Sequence, residues 1–312
     1  MEPRPENYAF DLLRVIGSVV AVTSNVPDDA LTAGVLGTER SGNGVIIRDG
    51  LVLTIGYLVT EAEAVWLTVS DGSTVPGHVL GYDQETGFGL IQALGKIKPE
   101  PIPLGDSSQV ALGERVVVCG AGGLASSVEA RVVAKQEFAG YWEYVLDEAI
   151  FTAPAHPHWG GTAVISQAGE LIGIGSLQVQ HAEVDGRAVD LNMIVPIDLL
   201  KPILPDMLKM GQADRPPRPW LGVYATEVGS NVIVAGIAPN GPNEDGELRI
   251  GDIVLAVNDE DVHDLADFFR QVWASGKAGD DIPLQVHRDG QAVDVIARSV
   301  NRRELLRRPI VH

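Results

Sequence analysis

His156 and His158 stand two residues apart with Ser166 a little further on, a grouping that could supply a histidine-activated hydroxyl or two ligands of a metal ion. A structural or catalytic metal needs at least a third ligand in motif spacing, and none follows. The segment therefore reads first as a surface loop, second as a relocated catalytic pair and third as a metal site. Asp83 and Glu85 sit among Tyr82, Gln84 and Thr86 and read as turn carboxylates. Cys119 is the single cysteine, so no intramolecular disulfide can form. It ends the apolar run Val116-Val117-Val118, which favours a buried structural thiol over a reactive one.

The elements that must position these residues are short. Val19–Val22, Gly44–Ile47, Leu51–Leu53, Val65–Val69, Arg115–Cys119 and Leu171–Ile174 are β-branched runs separated by turn signals such as Arg48-Asp49-Gly50 and Ser70-Asp71-Gly72. That pattern predicts an all-β barrel or sandwich up to about Val195. A helix is expected over Asp198–Met210, shortened or kinked by Pro202 and Pro205. The proline-rich stretch 211–219 then reads as a semi-rigid linker. Beyond it, Trp220–Thr226, Val232–Ile237, Ile253–Val257, Ile282–His287 and Val293–Arg298 are expected strands, and Asp264–Trp273 an amphipathic helix.

With 312 residues, 45% hydrophobic content, 35 glycines and 19 prolines, the chain can bury more than one core and suits a turn-rich globular protein. A formal charge of −19 opposes binding to nucleic acid or anionic lipid. Only the tail, with Arg302, Arg303, Arg307 and Arg308, is locally basic, and it reads as a solvated or frayed terminus. The first residues lack the basic-then-apolar pattern of a leader, and Val15–Val22 is too short to span a bilayer. As written the chain is expected to be cytoplasmic, or periplasmic or membrane-anchored if an N-terminal leader has been removed.

Gly42-Asn43-Gly44-Val45-Ile46-Ile47, Gly50-Leu51-Val52-Leu53-Thr54 and Tyr82-Asp83-Gln84-Glu85-Thr86 resemble the first barrel of HtrA-type trypsin-like serine proteases. Trp159-Gly160-Gly161-Thr162-Ala163-Val164 and Gly169–Ile174 resemble that family's nucleophile loop and the strand after it. The likeness implies a mainly β chain: a chymotrypsin/trypsin-like double β-barrel over 1–210, the linker 211–219, a PDZ domain over 220–300 and a basic tail over 301–312. It also implies that the three catalytic positions are degenerate. Tyr57 falls where the family has its general-base histidine, Gly87 where it has the orienting aspartate, and Trp159 where it has the nucleophilic serine. A phenol with a pKa near 10 is a poor base at neutral pH, glycine orients nothing, and an indole is not a nucleophile. The residue two before the nucleophile position, which in the family lends a backbone N–H to the oxyanion, is Pro157 and has no N–H. Tyr57 and Trp159 are expected to pack together and fill the vacated cleft.

Trp220-Leu221-Gly222-Val223, followed by Gly251-Asp252-Ile253-Val254-Leu255-Ala256-Val257-Asn258, resembles an HtrA-type PDZ domain. The resemblance implies that the amides of Leu221, Gly222 and Val223 hold a peptide C-terminal carboxylate, with Val262, Phe268 and Phe269 lining or supporting the groove. The rival expectation is that Trp220–Val223 is a core strand and the chain itself fills the groove. The chain's last residues, Pro309-Ile310-Val311-His312, would make a poor self-ligand. A catalytically inactive, peptide- or protein-binding scaffold is the leading expectation, with no cofactor, no metal and no nucleic-acid partner. A divergent serine-type endopeptidase with a relocated or partner-induced site, and a purely structural subunit, are the rivals. Tyr8 and Phe10 lie where relatives trimerise, which implies a homo-oligomer, although they could equally anchor a terminal strand.

Overall fold

The computed structural model describes residues 2–184 and 187–307. Six strands, β1 (Val19–Asn25), β2 (Glu39–Arg48), β3 (Leu51–Ile55), β4 (Ala64–Thr68), β5 (Thr74–Tyr82) and β6 (Phe88–Ala93), close in the order β1-β2-β3-β6-β5-β4. β1 alternates, burying Val20, Val22 and Ser24. β3 is buried throughout, with Leu53 opposite Val45 on β2 and Leu90 on β6. That burial makes β3 a rigid mount for whatever follows it, and the next residues, Gly56–Leu58, form a 3-10 turn carrying Tyr57.

A second closed barrel has the order β10-β11-β12-β9-β8-β7. Its strands are β7 (Arg115–Cys119), β8 (Ser127–Gly140), β9 (Tyr144–Ala153), β10 (Ala163–Ile165), β11 (Leu171–Val184) and β12 (Arg187–Pro196). Val116, Val118, Ile150, Val164, Ile172 and Ile194 pack in its core. The β9–β10 connection carries Pro157 and Trp159. Cys119 is fully buried, accepts from the Ser127 hydroxyl at 3.2 Å, and is pushed up to about 12 by burial, a structural thiol.

Short helices α1 (Leu12–Ile16) and α2 (Ala33–Leu36) precede β1 and β2. The helix expected over Asp198–Met210 is split. Ile197–Leu199 is a 3-10 turn and α3 spans only Leu204–Met210, because Pro205 is tolerated in a first turn but Pro202 cannot sit inside a continuous helix.

The chain divides into two compact units. The second consists of Arg215–Arg307 together with Glu137–Asp147, the tip of the β8–β9 hairpin. Its sheet has the order β13-β14-β15-β17-β18, with β16 on β15. These strands are β13 (Val223–Val228), β14 (Asn231–Ile237), β15 (Ile253–Val257), β16 (Glu260–Asp261), β17 (Asp281–Arg288) and β18 (Gln291–Arg298). Helix α4 (Leu265–Ala274) is N-capped by Asp264, which accepts from the Asp267 N–H at 2.7 Å. It buries Phe268 and Phe269 completely, each contributing roughly 1.5–3 kcal/mol of apolar burial. β13 begins at Val223 and not at Trp220, because residues 220–222 leave the sheet as a loop. The basic tail is not simply frayed: Arg302 opens helix α5 (Arg302–Leu305) and its guanidinium lies 5.6 Å from the Trp220 ring. Arg308 and the last four residues lie outside the described residues.

Candidate functional site

The resemblance brings three positions to one place in the first unit. Tyr57 leaves the end of β3 and its hydroxyl donates to the Ser176 carbonyl on β11 at 2.8 Å. The Trp159 side chain hydrogen-bonds the same phenol, and burial pushes the phenol's pKa well above its ordinary range. Gly87 closes the arrangement from behind, its carbonyl accepting from the Gly56 N–H at 2.6 Å. Tyr57 and Trp159 are thus in hydrogen-bond contact, and the phenol stands as a hydrogen-bond donor to backbone. A phenol held in this state takes no proton at neutral pH.

Two residues that sequence reading passed over support this arrangement. Arg40, 6% exposed, donates from Nη1 to the Tyr57 carbonyl at 2.7 Å and the Thr60 carbonyl at 3.0 Å, fixing the turn that carries the phenol. Asn43 ties the barrels together: its N–H donates to the Gly160 carbonyl at 2.8 Å, its Nδ2 to His158 and Gly160, and its Oδ1 accepts from the Ala121 N–H. Nothing in the local sequence Gly42-Asn43-Gly44 singles it out, and only its partners distinguish it. Gly161 lies at φ +77° and a Cβ there would stand 1.9 Å from the Asn43 carbonyl oxygen, so this approach admits glycine alone.

The histidine pair behaves differently from the surface loop expected. His158 is exposed, but His156 is buried: its Nε2 pairs with the Ser126 carbonyl at 3.0 Å, its Nδ1 accepts from the His158 N–H, and burial lowers its pKa. An interior position pays because every polar atom of the ring is satisfied. Ser166 Oγ accepts from the Ala168 and Glu170 amides as a turn hydroxyl, so the structure does not bring the pair and this serine into a dyad. Asp83 serves its own turn, accepting from the Thr86 N–H and hydroxyl. Among the described residues no group of three potential ligands converges on a metal position. Pro157 is exposed and borders an open groove of about 650 Å³ with Pro154, Gln178 and Asp190. Tyr8 donates to Glu129 at 3.1 Å and meets Phe10 edge-on, while Phe10 lies against Gly169, so both aromatics have partners within their own unit.

In the second unit, the Leu221 and Gly222 carbonyls are turned away and held, by Asn243 Nδ2 at 2.8 Å and the Ala238 N–H at 2.7 Å. With Gly222 at φ +69°, the N–H groups of residues 221–223 converge on one spot, the nest expected from the resemblance. The spot is filled. Glu143 Oε1 accepts from Leu221, Gly222 and Val223 N–H at 3.2, 2.7 and 3.1 Å, and Oε2 from Leu221 N–H at 3.1 Å. Burial pushes the Glu143 carboxyl up to about 7, against the pull of the three amides and of Arg302. Phe268 and Phe269 lie inside the core and support the groove from beneath, and Val262 packs on that core from a half-buried position. Glu143 was invisible to sequence reading: it is one acid in Gly140-Tyr141-Trp142-Glu143-Tyr144, some eighty residues before its partners.

Barrel pair and second sheet together define a trypsin-like peptidase fold joined to a PDZ fold. Residues 42–174 match the family described as trypsin-like peptidase domain, and residues 219–297 the family described as PDZ domain. The chain is 25% identical over 280 residues to the serine protease Do-like HtrB of Bacillus subtilis (strain 168), an alignment covering 80% of this chain and 60% of that protein. It is 30% identical over 272 residues to the probable periplasmic serine endoprotease DegP-like of Pseudomonas putida (strain GB-1), covering 81% and 54%. Among solved structures, the HtrA-type protease AlgW with decapeptide superposes with a TM-score of 0.53 at 22% identity, over 95% of this chain and 98% of that one. The chain belongs to the HtrA-type family of trypsin-like serine proteases with a C-terminal PDZ domain. It spans a little over half the length of these curated relatives.

Proposed function

We propose that this chain is a catalytically inactive HtrA-like protein that acts as a peptide- or protein-binding scaffold or regulator. The observation that carries the reading is the Tyr57 hydroxyl donating to the Ser176 carbonyl beside Trp159, where the resemblance puts base and nucleophile. None of Tyr57, Gly87 and Trp159 offers a nucleophile or an acceptor of its proton, and Pro157 removes one oxyanion donor. Peptide or protein C-termini are the proposed ligands, bound as an added strand with the carboxylate on Leu221–Val223. The periplasmic naming of relatives favours an exported location over the cytoplasmic one read from the first residues.

The relatives' names as serine proteases favour a second reading, a divergent endopeptidase. Incubating the protein with a fluorophosphonate probe and with casein decides between them. Neither labelling nor cleavage is expected. Labelling or cleavage that is abolished by Ser166→Ala or Ser176→Ala would overturn the inactive reading.

A further inference from the structure

A nest of three converging N–H groups at the start of a sheet's edge strand is built for a carboxylate on an added strand. In this protein the carboxylate comes from the chain. We propose that Glu143 is an internal ligand of the Leu221–Val223 nest, its side chain standing in for a peptide C-terminus, so that an external C-terminus binds only by displacing the hairpin tip 137–147.

Register supports this beyond the carboxylate contacts. Two residues before Glu143, the Tyr141 carbonyl accepts from the Ala225 N–H at 2.9 Å, two residues beyond Val223. Positions 143 and 141 thus face 223 and 225, the antiparallel i, i±2 spacing of a strand added at the free edge of β13. The backbone is committed to this pose: Glu143 holds φ +60°, a conformation that non-glycine residues rarely keep without compensating contacts. Side chains complete the mimicry. Val145 is buried in the same apolar cluster as Leu221, Val223 and Phe269, and the Tyr141 and Tyr224 rings meet at 5.9 Å. Arg270 on α4 pairs with Asp147 at 2.6 Å and with Glu137, clasping both arms of the hairpin.

Tethering makes the internal ligand effective without high intrinsic affinity. A tip docked nine-tenths of the time weakens the apparent affinity of an external peptide about tenfold.

The test uses the full chain and the variants Glu143→Ala, Glu143→Gln and Arg270→Ala, with two readouts. The first is hydrogen exchange at the amides of residues 221–223. They should be protected in the unaltered protein and exchange about tenfold faster in Glu143→Ala, with α4 and β17 amides unchanged. Equal exchange in the two proteins overturns the proposal. The second is anisotropy of a fluorescein-labelled decapeptide ending in valine with a free carboxylate, against its C-terminal amide. Only this arm rests on the proposed peptide-binding role. The free acid should bind Glu143→Ala about tenfold more tightly than the unaltered protein, and equal affinity overturns the proposal. Faster exchange with no peptide bound by either protein upholds the internal ligand and sinks the peptide-receptor reading. Arg270→Ala leaves the nest untouched and should show a smaller shift of the same sign even where Glu143→Ala folds poorly, while Glu143→Gln keeps the side chain's shape and an accepting oxygen without the charge and should leave the amides of residues 221–223 protected.

Discussion

Two places in this molecule have their polar groups satisfied from within the chain, and they are closed in different ways. Around Tyr57, where the resemblance puts catalytic groups, the side chains present satisfy one another: phenol to the Ser176 carbonyl, Trp159 to the phenol. At Leu221–Val223 three backbone N–H groups converge, and a carboxylate from Glu143 satisfies them. Side-chain identity is written into the covalent chain, whereas occupancy is an equilibrium that a competitor or a mutation can shift. The contrast shows that a closed site in a structure does not by itself distinguish a lost function from a restrained one.

Restoring side chains is the most demanding way to break this comparison. Tyr57→His, Gly87→Asp and Trp159→Ser together should yield little or no peptide hydrolysis. Pro157 still withholds an amide worth roughly 10²–10³ in rate, and the new aspartate inherits a backbone at φ +81°. Adding Pro157→Gly should raise the rate by a measurable part of that factor in a chromogenic peptide assay. Robust hydrolysis by the triple variant would show that the oxyanion has another donor.

Glycine substitutions sharpen the contrast at the level of stability. Gly161→Ala drives a Cβ to 1.9 Å from backbone and should cost about 3 kcal/mol or more in denaturant unfolding of the first unit. Gly222→Ala meets only the Pro242 and Trp220 side chains, at 3.1 Å, so its cost should stay near 1–2 kcal/mol, chiefly from the positive φ. A larger loss at Gly222 than at Gly161 would reverse the ranking of the two sites in rigidity.

The smallest effect expected is on pH. Glu143 is raised from its ordinary value to about 7, so the docked tip binds the proton more tightly than a released tip does. The contribution of this group to docking is therefore complete below about pH 4.5 and is lost as pH rises to about 7, after which it levels off. The charges that bear on Glu143 are Arg302 on α5 and the Tyr224 phenol on β13, while Arg270, Glu137 and Asp147 flank the hairpin arms. Exchange at residues 221–223, corrected for its intrinsic pH dependence, should accelerate between pH 5 and 8, and the slope should vanish in Glu143→Gln. A rise in protection over that range would show that the amides hold the carboxylate ionised.

Sequence by itself determined the alternation of short strands and the two kinds of domain. These rest on local patterns: β-branched runs, turn residues and motifs whose meaning lies within a few neighbours. It also determined that Pro157 has no N–H, since covalent structure needs no fold to express it. Tertiary structure alone decided that His156 is buried and not a surface loop residue, because burial depends on the distant Ser126 carbonyl and Asn192 side chain. It alone made Asn43 the tie between barrels and seated Glu143 in the nest. No local pattern marks a carboxylate whose partners lie some eighty residues away, because its environment exists only once β13 and the hairpin tip have come together and shed their water.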